Sequence, residues 1–198
     1  MVHFNTAEEY LLEDESVLLK PLTMDDEKHL LHFSLNEPTL WRFSLVQANG
    51  RDNLIKYLDI ATTARAEGKE YPFIVFDKRT QQYAGSTRFY DIQEANSSLQ
   101  LGYTWYGKDF QGTGLNKHCK ILLLDFAFNG GFERVEFRAD NDNERSIAAM
   151  KSIGCTVEGV LRSHGLKPDG TRRNTIILSI LKKEWEEGKR EALKRKIE

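Results

Sequence analysis

Two glycines one residue apart, Gly112 and Gly114, stand between an aromatic-rich apolar run and a strongly amphipathic one, and the rest of the chain reads as support for that stretch. The run before them, Leu99 to Tyr106, reads as a strand. The run after them places Leu115, Cys119, Leu122, Leu123, Phe126 and Ala127 at the i, i+4, i+7, i+8 spacing of a helix with one buried stripe. A glycine pair at such a corner lets backbone N–H groups converge on an anion, and the helix dipole adds partial positive charge there. The stretch reads as a phosphate or pyrophosphate cradle; the plainer alternative is a strand-to-helix corner that binds nothing.

The kind of phosphate ligand is narrowed by what is missing. A P-loop needs four residues between its glycines, followed by Lys and Ser or Thr, and none is present. A dinucleotide fingerprint needs a third glycine at position 117, where Lys117 stands, and a βαβ unit around it. Here a strand from Tyr83 to Asp91 precedes directly, across the polar turn Gln93 to Ser98. That order predicts an antiparallel hairpin feeding one long helix, which leaves NAD(P)-dependent oxidoreduction a third choice.

The rest of the chain supplies the sheet. Ser16 to Leu22 reads as a strand, and Thr23-Met-Asp-Asp26 caps a helix that runs to about Leu35. Glu37 to Ser44 is aromatic-rich and irregular. Arg51 to Gly68 is a helix with Leu54, Ile55, Leu58 and Ala61 on one stripe. Tyr71 to Phe76 is a dense apolar strand that turns through Asp77 to Thr80. Glu133 to Ala139 is the next strand, and Asn141 to Ile153 a helix opened by a capping box of Asn141 and Glu144. Thr156 to Leu166 and Arg173 to Leu181 flank Lys167-Pro-Asp-Gly170, a turn that makes them a terminal hairpin. Residues 1–15 are expected to form a loose polar arm or short helix, and Lys183 onward a solvated charged helix. The expectation is one α/β (α+β) domain over residues 1–198, core about 16–185, with a mixed, mostly antiparallel sheet of about seven strands flanked by helices.

A formal net charge of −2 and a pI near 6.2 argue against nucleic acid or an anionic membrane as partner. Two cysteines, Cys119 and Cys155, make neither a disulfide framework nor a zinc site, and each reads as a core thiol. His29 and His32 lie one helical turn apart without a third ligand nearby, so no metal is expected. No apolar run reaches membrane-spanning length, and the first residues lack a signal-peptide layout, so a cytoplasmic location is expected.

Asp109-Phe-Gln-Gly112-Thr-Gly114 resembles the acyl-CoA pyrophosphate loop of the GNAT N-acetyltransferases, Arg/Gln-x-x-Gly-x-Gly/Ala. Asp109 departs from the common first residue, and an acidic residue there is familiar in the RimJ/RimL-like branch. Asn143-Glu-Arg-Ser146, Ile153-Gly154 and Glu158-Gly-Val-Leu-Arg162 resemble further motifs of that branch in the same order, and the likeness runs from about Val17 to Trp185. It implies a single GNAT-like domain with acetyl-CoA as co-substrate. The acetyl group would pass directly, in a ternary complex, to a primary amine of a protein N-terminus or a small molecule. The resemblance further implies that Thr104, Trp105 and Tyr106 grip the pantetheine arm. Gln111, Gly112, Thr113, Gly114, Leu115, Asn116 and Lys117 would hold the pyrophosphate. Asn143 and Ser146 would contact the arm near the thioester, where Ser146 protonates the departing thiolate. Tyr103 is the second catalytic candidate.

The general base is not assigned by the sequence. The branch often carries Glu where Gln100-Leu-Gly-Tyr103 begins, and an amide cannot take a proton at neutral pH. Asp91, His164, a relayed water or an amine bound already neutral stay open. The missing carboxylate motivates an alternative of another class, a non-catalytic acyl-CoA-binding or sensing module. The acceptor groove is expected from Pro38 to Val46, Asp91 to Ser98 and the Lys167 to Arg173 turn. There Trp41 and Phe43 line the acceptor side or plug the core, and Arg172 and Arg173 attract an acidic acceptor or are simply solvated. Pairing of the late hairpin with a second copy leaves a homodimer open.

Overall fold

The dense apolar runs form the middle of one eight-stranded sheet in the computed structural model, which describes residues 2–197. The strands are β1 (Leu12–Glu13), β2 (Val17–Pro21), β3 (Tyr71–Asp77), β4 (Gln82–Gln93), β5 (Ser98–Tyr106), β6 (Arg134–Asp140), β7 (Thr156–Leu166) and β8 (Arg172–Leu181). Their spatial order is β1-β2-β3-β4-β5-β6-β8-β7. All neighbours are antiparallel except β5 and β6. β3 is apolar nearly throughout and buried on both faces, because helices cover the sheet on either side of it. Helices α1 (Glu27–Asn36) and α2 (Arg51–Ala66) pack together on one face; α3 (Leu115–Asn129) buries Leu115, Cys119, Leu123 and Ala127 on the other. α4 (Glu144–Ser152) links β6 to β7.

Three sequence expectations are corrected. Residues 2–15 are neither loose nor helical. Leu12–Glu13 adds the eighth strand, and the Phe4 ring sits among Tyr10, Tyr71, Phe89, Phe126 and Phe132 at centroid distances of 5.7–6.1 Å. Single aromatic anchors in a polar stretch give no periodicity to read. The C-terminal segment is likewise docked and is broken into α5 (Lys182–Glu184), a π-helical turn (Trp185–Lys189) kinked at Gly188, and α6 (Arg190–Lys194). Trp185 is buried with its indole N–H 2.8 Å from Asp125, and Arg190 grips the same carboxylate at 2.7 Å. Finally, α4 begins at Glu144: Asn143, not Asn141, is its cap, accepting from the Ser146 amide at 3.1 Å.

Two irregularities of the sheet open a gap in it and aim the side chains beside that gap. β5 and β6 pair only at Ser98–Arg134, Leu99–Val135 and Gln100–Glu136. β6 keeps its full register with β8, so it departs from β5 and a wedge opens toward Tyr106 and Asp140. Against β4, the β5 register shifts between Arg88–Gly102 and Ser86–Trp105, so two residues of β5 face one of β4. This is a bulge, with Tyr103 at φ 49°. It turns Tyr103 and Trp105 to the α2 face while Thr104 stays on the α3 face with Thr87, their hydroxyls 2.7 Å apart.

Candidate active site

The wedge opens into a cavity of about 1410 Å³ that reaches from the glycine loop across β5 to α4 and the segment Pro38 to Leu45. At one end, Gly112 and Gly114 adopt φ 77° and 88°, which side chains rarely accept. A Cβ built on either glycine meets nothing within 4 Å, so both sit against open space. The amides of Gly112, Thr113 and Gly114 donate to no group among the described residues, and α3 starts immediately behind them. The loop is braced from beneath. Arg79, clamped by Asp77 at 3.0–3.1 Å, donates to the Thr113 carbonyl at 3.1 Å. Gln111 bonds the Tyr106 carbonyl at 2.8 Å and receives Arg145 of α4 at 2.5 Å. Gly107 lets this corner close: a Cβ there would lie 2.1 Å from the Phe33 ring. The result is a rigid nest of unspent N–H donors at a helix N-terminus, which suits a phosphate.

Along the wedge, Thr104, Trp105 and Tyr106 offer unequal groups. The Thr104 hydroxyl is committed to Thr87 and to Lys120 Nζ at 2.9 Å, and Trp105 and Tyr106 are largely buried, so backbone is what this strand has to offer. Across the gap, Ser146 lines the cavity and its hydroxyl makes no hydrogen bond among the described residues. The Asn143 carbonyl oxygen is spent on the α4 cap, which leaves its amide nitrogen. The Leu115 side chain is wholly in the core, so only its backbone reaches the loop. Lys117 lines the cavity edge and donates to the Lys196 carbonyl at 3.3 Å.

On the α2 face the cavity is an aromatic chamber. Trp105 donates to the Tyr57 hydroxyl at 3.3 Å and meets Trp41 edge-on at 4.8 Å. Trp41 is thus both buried and part of the wall, and Phe43 lines it as well. Tyr103 lies over the Arg88 guanidinium at 4.2 Å and against Tyr90 at 5.1 Å. Arg88 is 1% exposed and held by Glu70 at 2.6 Å. Burial pushes the Tyr103 hydroxyl up in pKa, with Glu70 adding to the rise, so at neutral pH it is a donor and not a base.

Of the base candidates, His164 stands on the cavity wall, with Nδ1 3.1 Å from the Thr175 hydroxyl. Asp91 does not; its carboxylate is outside, bonded to Gln100 at 2.6 Å and Gln93 at 2.8 Å. The whole Asp91 to Ser98 stretch lies off the cavity, because β4 and β5 continue as a hairpin past it. Gln100 does line the cavity, and its side-chain oxygen is buried without a partner. Asp140, at the end of β6, is buried but receives the Asp142 amide at 3.0 Å and faces Lys167 at 3.5 Å. Burial pushes the Cys119 and Cys155 thiols up to about 12, which keeps both protonated. Asp14, Glu15 and His118 cluster within 4.8 Å, yet Asp14 already accepts the Ser16 and Val17 amides and pairs with His118 at 2.7 Å, docking the N-terminal arm on α3.

Sequence reasoning missed Tyr57, Tyr90, Arg88 and Lys120. Lys120 is 4% exposed on the cavity floor, hydrogen-bonded to Thr104 and, at 3.4 Å, to Thr87, with no carboxylate at ion-pair distance among the described residues. Burial lowers its pKa to about 8. The available signal was a lysine beside Cys119 within the buried side of an otherwise apolar helix.

Known proteins share this architecture. The family model described as "Acetyltransferase (GNAT) domain" matches residues 16–156. The "Putative ribosomal N-acetyltransferase YdaF" of Bacillus subtilis (strain 168) is 32% identical over 103 residues, which is 52% of this chain and 55% of that relative's length. A GCN5-related N-acetyltransferase from Brucella melitensis has the same fold, with a TM-score of 0.90 at 23% identity over 100% of this chain and 90% of that one. Mycobacterium smegmatis RimJ, solved in complex with CoA-disulfide, gives 0.79 at 19% identity over 95% and 93%. The chain belongs to the GNAT acetyltransferase family.

Proposed function

We propose that this member of the GNAT family is an N-acetyltransferase that moves the acetyl group of acetyl-CoA directly to a primary amine held in the aromatic chamber. The observation that carries this reading is the set of free amides at Gly112, Thr113 and Gly114, in a loop whose two glycines line the same cavity as the β5–β6 wedge. The RimJ neighbour was solved in complex with CoA-disulfide, which supports a CoA species as the ligand of a fold of this kind. Those amides, with Gln111, Leu115, Asn116 and Lys117 around them, hold the pyrophosphate, and the backbone of Thr104 to Tyr106 extends the pantetheine into the wedge. Asn143 contacts the arm through its amide nitrogen.

Amine attack on the thioester carbonyl forms the C–N bond, and collapse expels the thiolate, which needs a proton. The unbonded Ser146 hydroxyl across the wedge is the donor in this scheme. Tyr103, kept protonated by burial, orients the acceptor from the other face. His164, on the acceptor wall, is the base in this scheme. Holding both substrates in line supplies most of the rate in a reaction of this kind. The acceptor is a protein N-terminus or a small-molecule amine.

The test has two stages. Acetyl-CoA and CoA, but not NADH, should raise the melting temperature; at about 100 times Kd the gain is roughly 2.7 kcal/mol. Thiol release against a panel of amines should then occur. No melt response to either CoA species sinks the reading. A response without thiol release from any amine would favour the acyl-CoA-sensing module, a second reading that Gln100 in place of a carboxylate keeps in play.

A further inference from the structure

Among the described residues, Arg173 has no counter-charge. It is 8% exposed, it lines the cavity, and its Nε is buried with no hydrogen-bond partner. No carboxylate lies at ion-pair distance from it among the described residues. The other arginines on this face have a carboxylate: Arg88, two of whose nitrogens are also buried without a hydrogen-bond partner, has Glu70 at 2.6 Å, and Arg138 has Glu136 at 2.7 Å. A guanidinium taken out of water and left unpaired is strongly unfavourable, a cost that an anion bound beside it would offset.

The strand register fixes which face it is on. β8 runs beside β6 with Thr175 opposite Asp140 and Ile177 opposite Arg138, and Glu136 is level with Gln100 of β5. Residues two apart share a face. Arg173 is therefore on the side of Arg88, Tyr90 and Tyr103, opposite Thr104 and Lys120. Its charge is felt by the hydroxyls of both Tyr90 and Tyr103. Gly165 stands across from it on β7, which leaves room for the side chain to lie inward. The phosphate-binding amides belong to the loop after β5, so a CoA held there leaves Arg173 to the other substrate.

We propose that Arg173 binds an anionic group carried by the acceptor close to its amine, a carboxylate or a phosphate matched by the planar guanidinium fork. That this anion is part of the acceptor rests on the acetyl-transfer reading above; the anion site itself does not.

The experiment titrates the CoA-loaded protein with the dipeptide amides Ser-Glu and Ser-Gln, and with phosphoserine amide as the phosphate arm. Fluorescence of Trp41 and Trp105, both on the cavity wall, is the signal. Ser-Glu amide should bind at least about tenfold more tightly than Ser-Gln amide, as a charge-assisted hydrogen bond predicts. In Arg173→Gln the gap should close, and in Arg173→Lys it should partly return. A phosphoserine amide tighter than both assigns the anion as phosphate. Equal affinities for Ser-Glu and Ser-Gln amides in the wild type overturn the proposal without any variant, as does a gap that survives in Arg173→Gln. The same titration on CoA-free protein, beside the CoA melt, keeps the two ideas apart. Loss of the CoA response with the charge preference intact fails the acetyl-transfer reading alone.

Discussion

The two ends of the cavity are built by different means. The end proposed for phosphate is one continuous stretch, Gln111 to Lys117, whose free groups are main-chain amides, and its glycines matter for the backbone they permit. The end proposed for the acceptor is assembled from side chains of the Pro38 to Leu45 segment, α2, β4, β5, β6, β7 and β8, elements scattered along the chain. A ligand common to a family can be met by backbone, which side-chain drift leaves untouched. A substrate that differs between members is met by side chains that can change one at a time.

Four substitutions test that contrast. Gly114→Val puts a β-branched residue at φ 88° and should weaken CoA binding by about 10³-fold, roughly 4 kcal/mol, read by isothermal titration. Retained CoA affinity in that variant would break the claim that backbone geometry carries this end. Ser146→Ala should cost about 10²-fold in kcat while leaving CoA affinity alone; a matching loss of CoA binding would move Ser146 from chemistry to cofactor grip.

Lys120→Met addresses the floor between the two ends. Below pH 8 the lysine is protonated in folded and unfolded chains alike, and its burial penalty is present in full. Between about 8 and its ordinary 10.5 the unfolded chain binds the more protons, so stability rises with pH and the penalty disappears. The methionine variant should therefore be more stable by about 2 kcal/mol at pH 7, after allowing for the lost hydroxyl bonds, with the gain fading toward pH 10.5. A series of melts against pH reads this directly, and a gain independent of pH would refute the assigned cause. Smallest of all, Lys117→Ala should change CoA affinity by about 0.5 kcal/mol or less, because its ammonium is partly solvent-screened and already bonded to the Lys196 carbonyl.

The same contrast explains what could be read in advance. The loop, the long helix behind it and the strands Tyr71 to Tyr106 follow from local periodicity and turn residues. The resemblance extended that to the Asn143–Ser146 helix start. The register of Arg173 could not be read, because a turn-flanking arginine looks solvated until β8 is seen pairing with both β6 and β7. Phe4 and Trp185 were equally silent: each anchors a terminal segment through one ring, and one ring makes no pattern.

The sheet is continuous by only three rungs between β5 and β6. Everything from β1 to β5 is one plate, and β6, β8 and β7 are another, joined at one corner as two blades are joined at a rivet. On the proposed function, an extended pantetheine arm in the gap would stand where a ninth strand could, bridging two plates that the chain itself joins by three rungs. The co-substrate would then be part of the sheet for as long as it is bound.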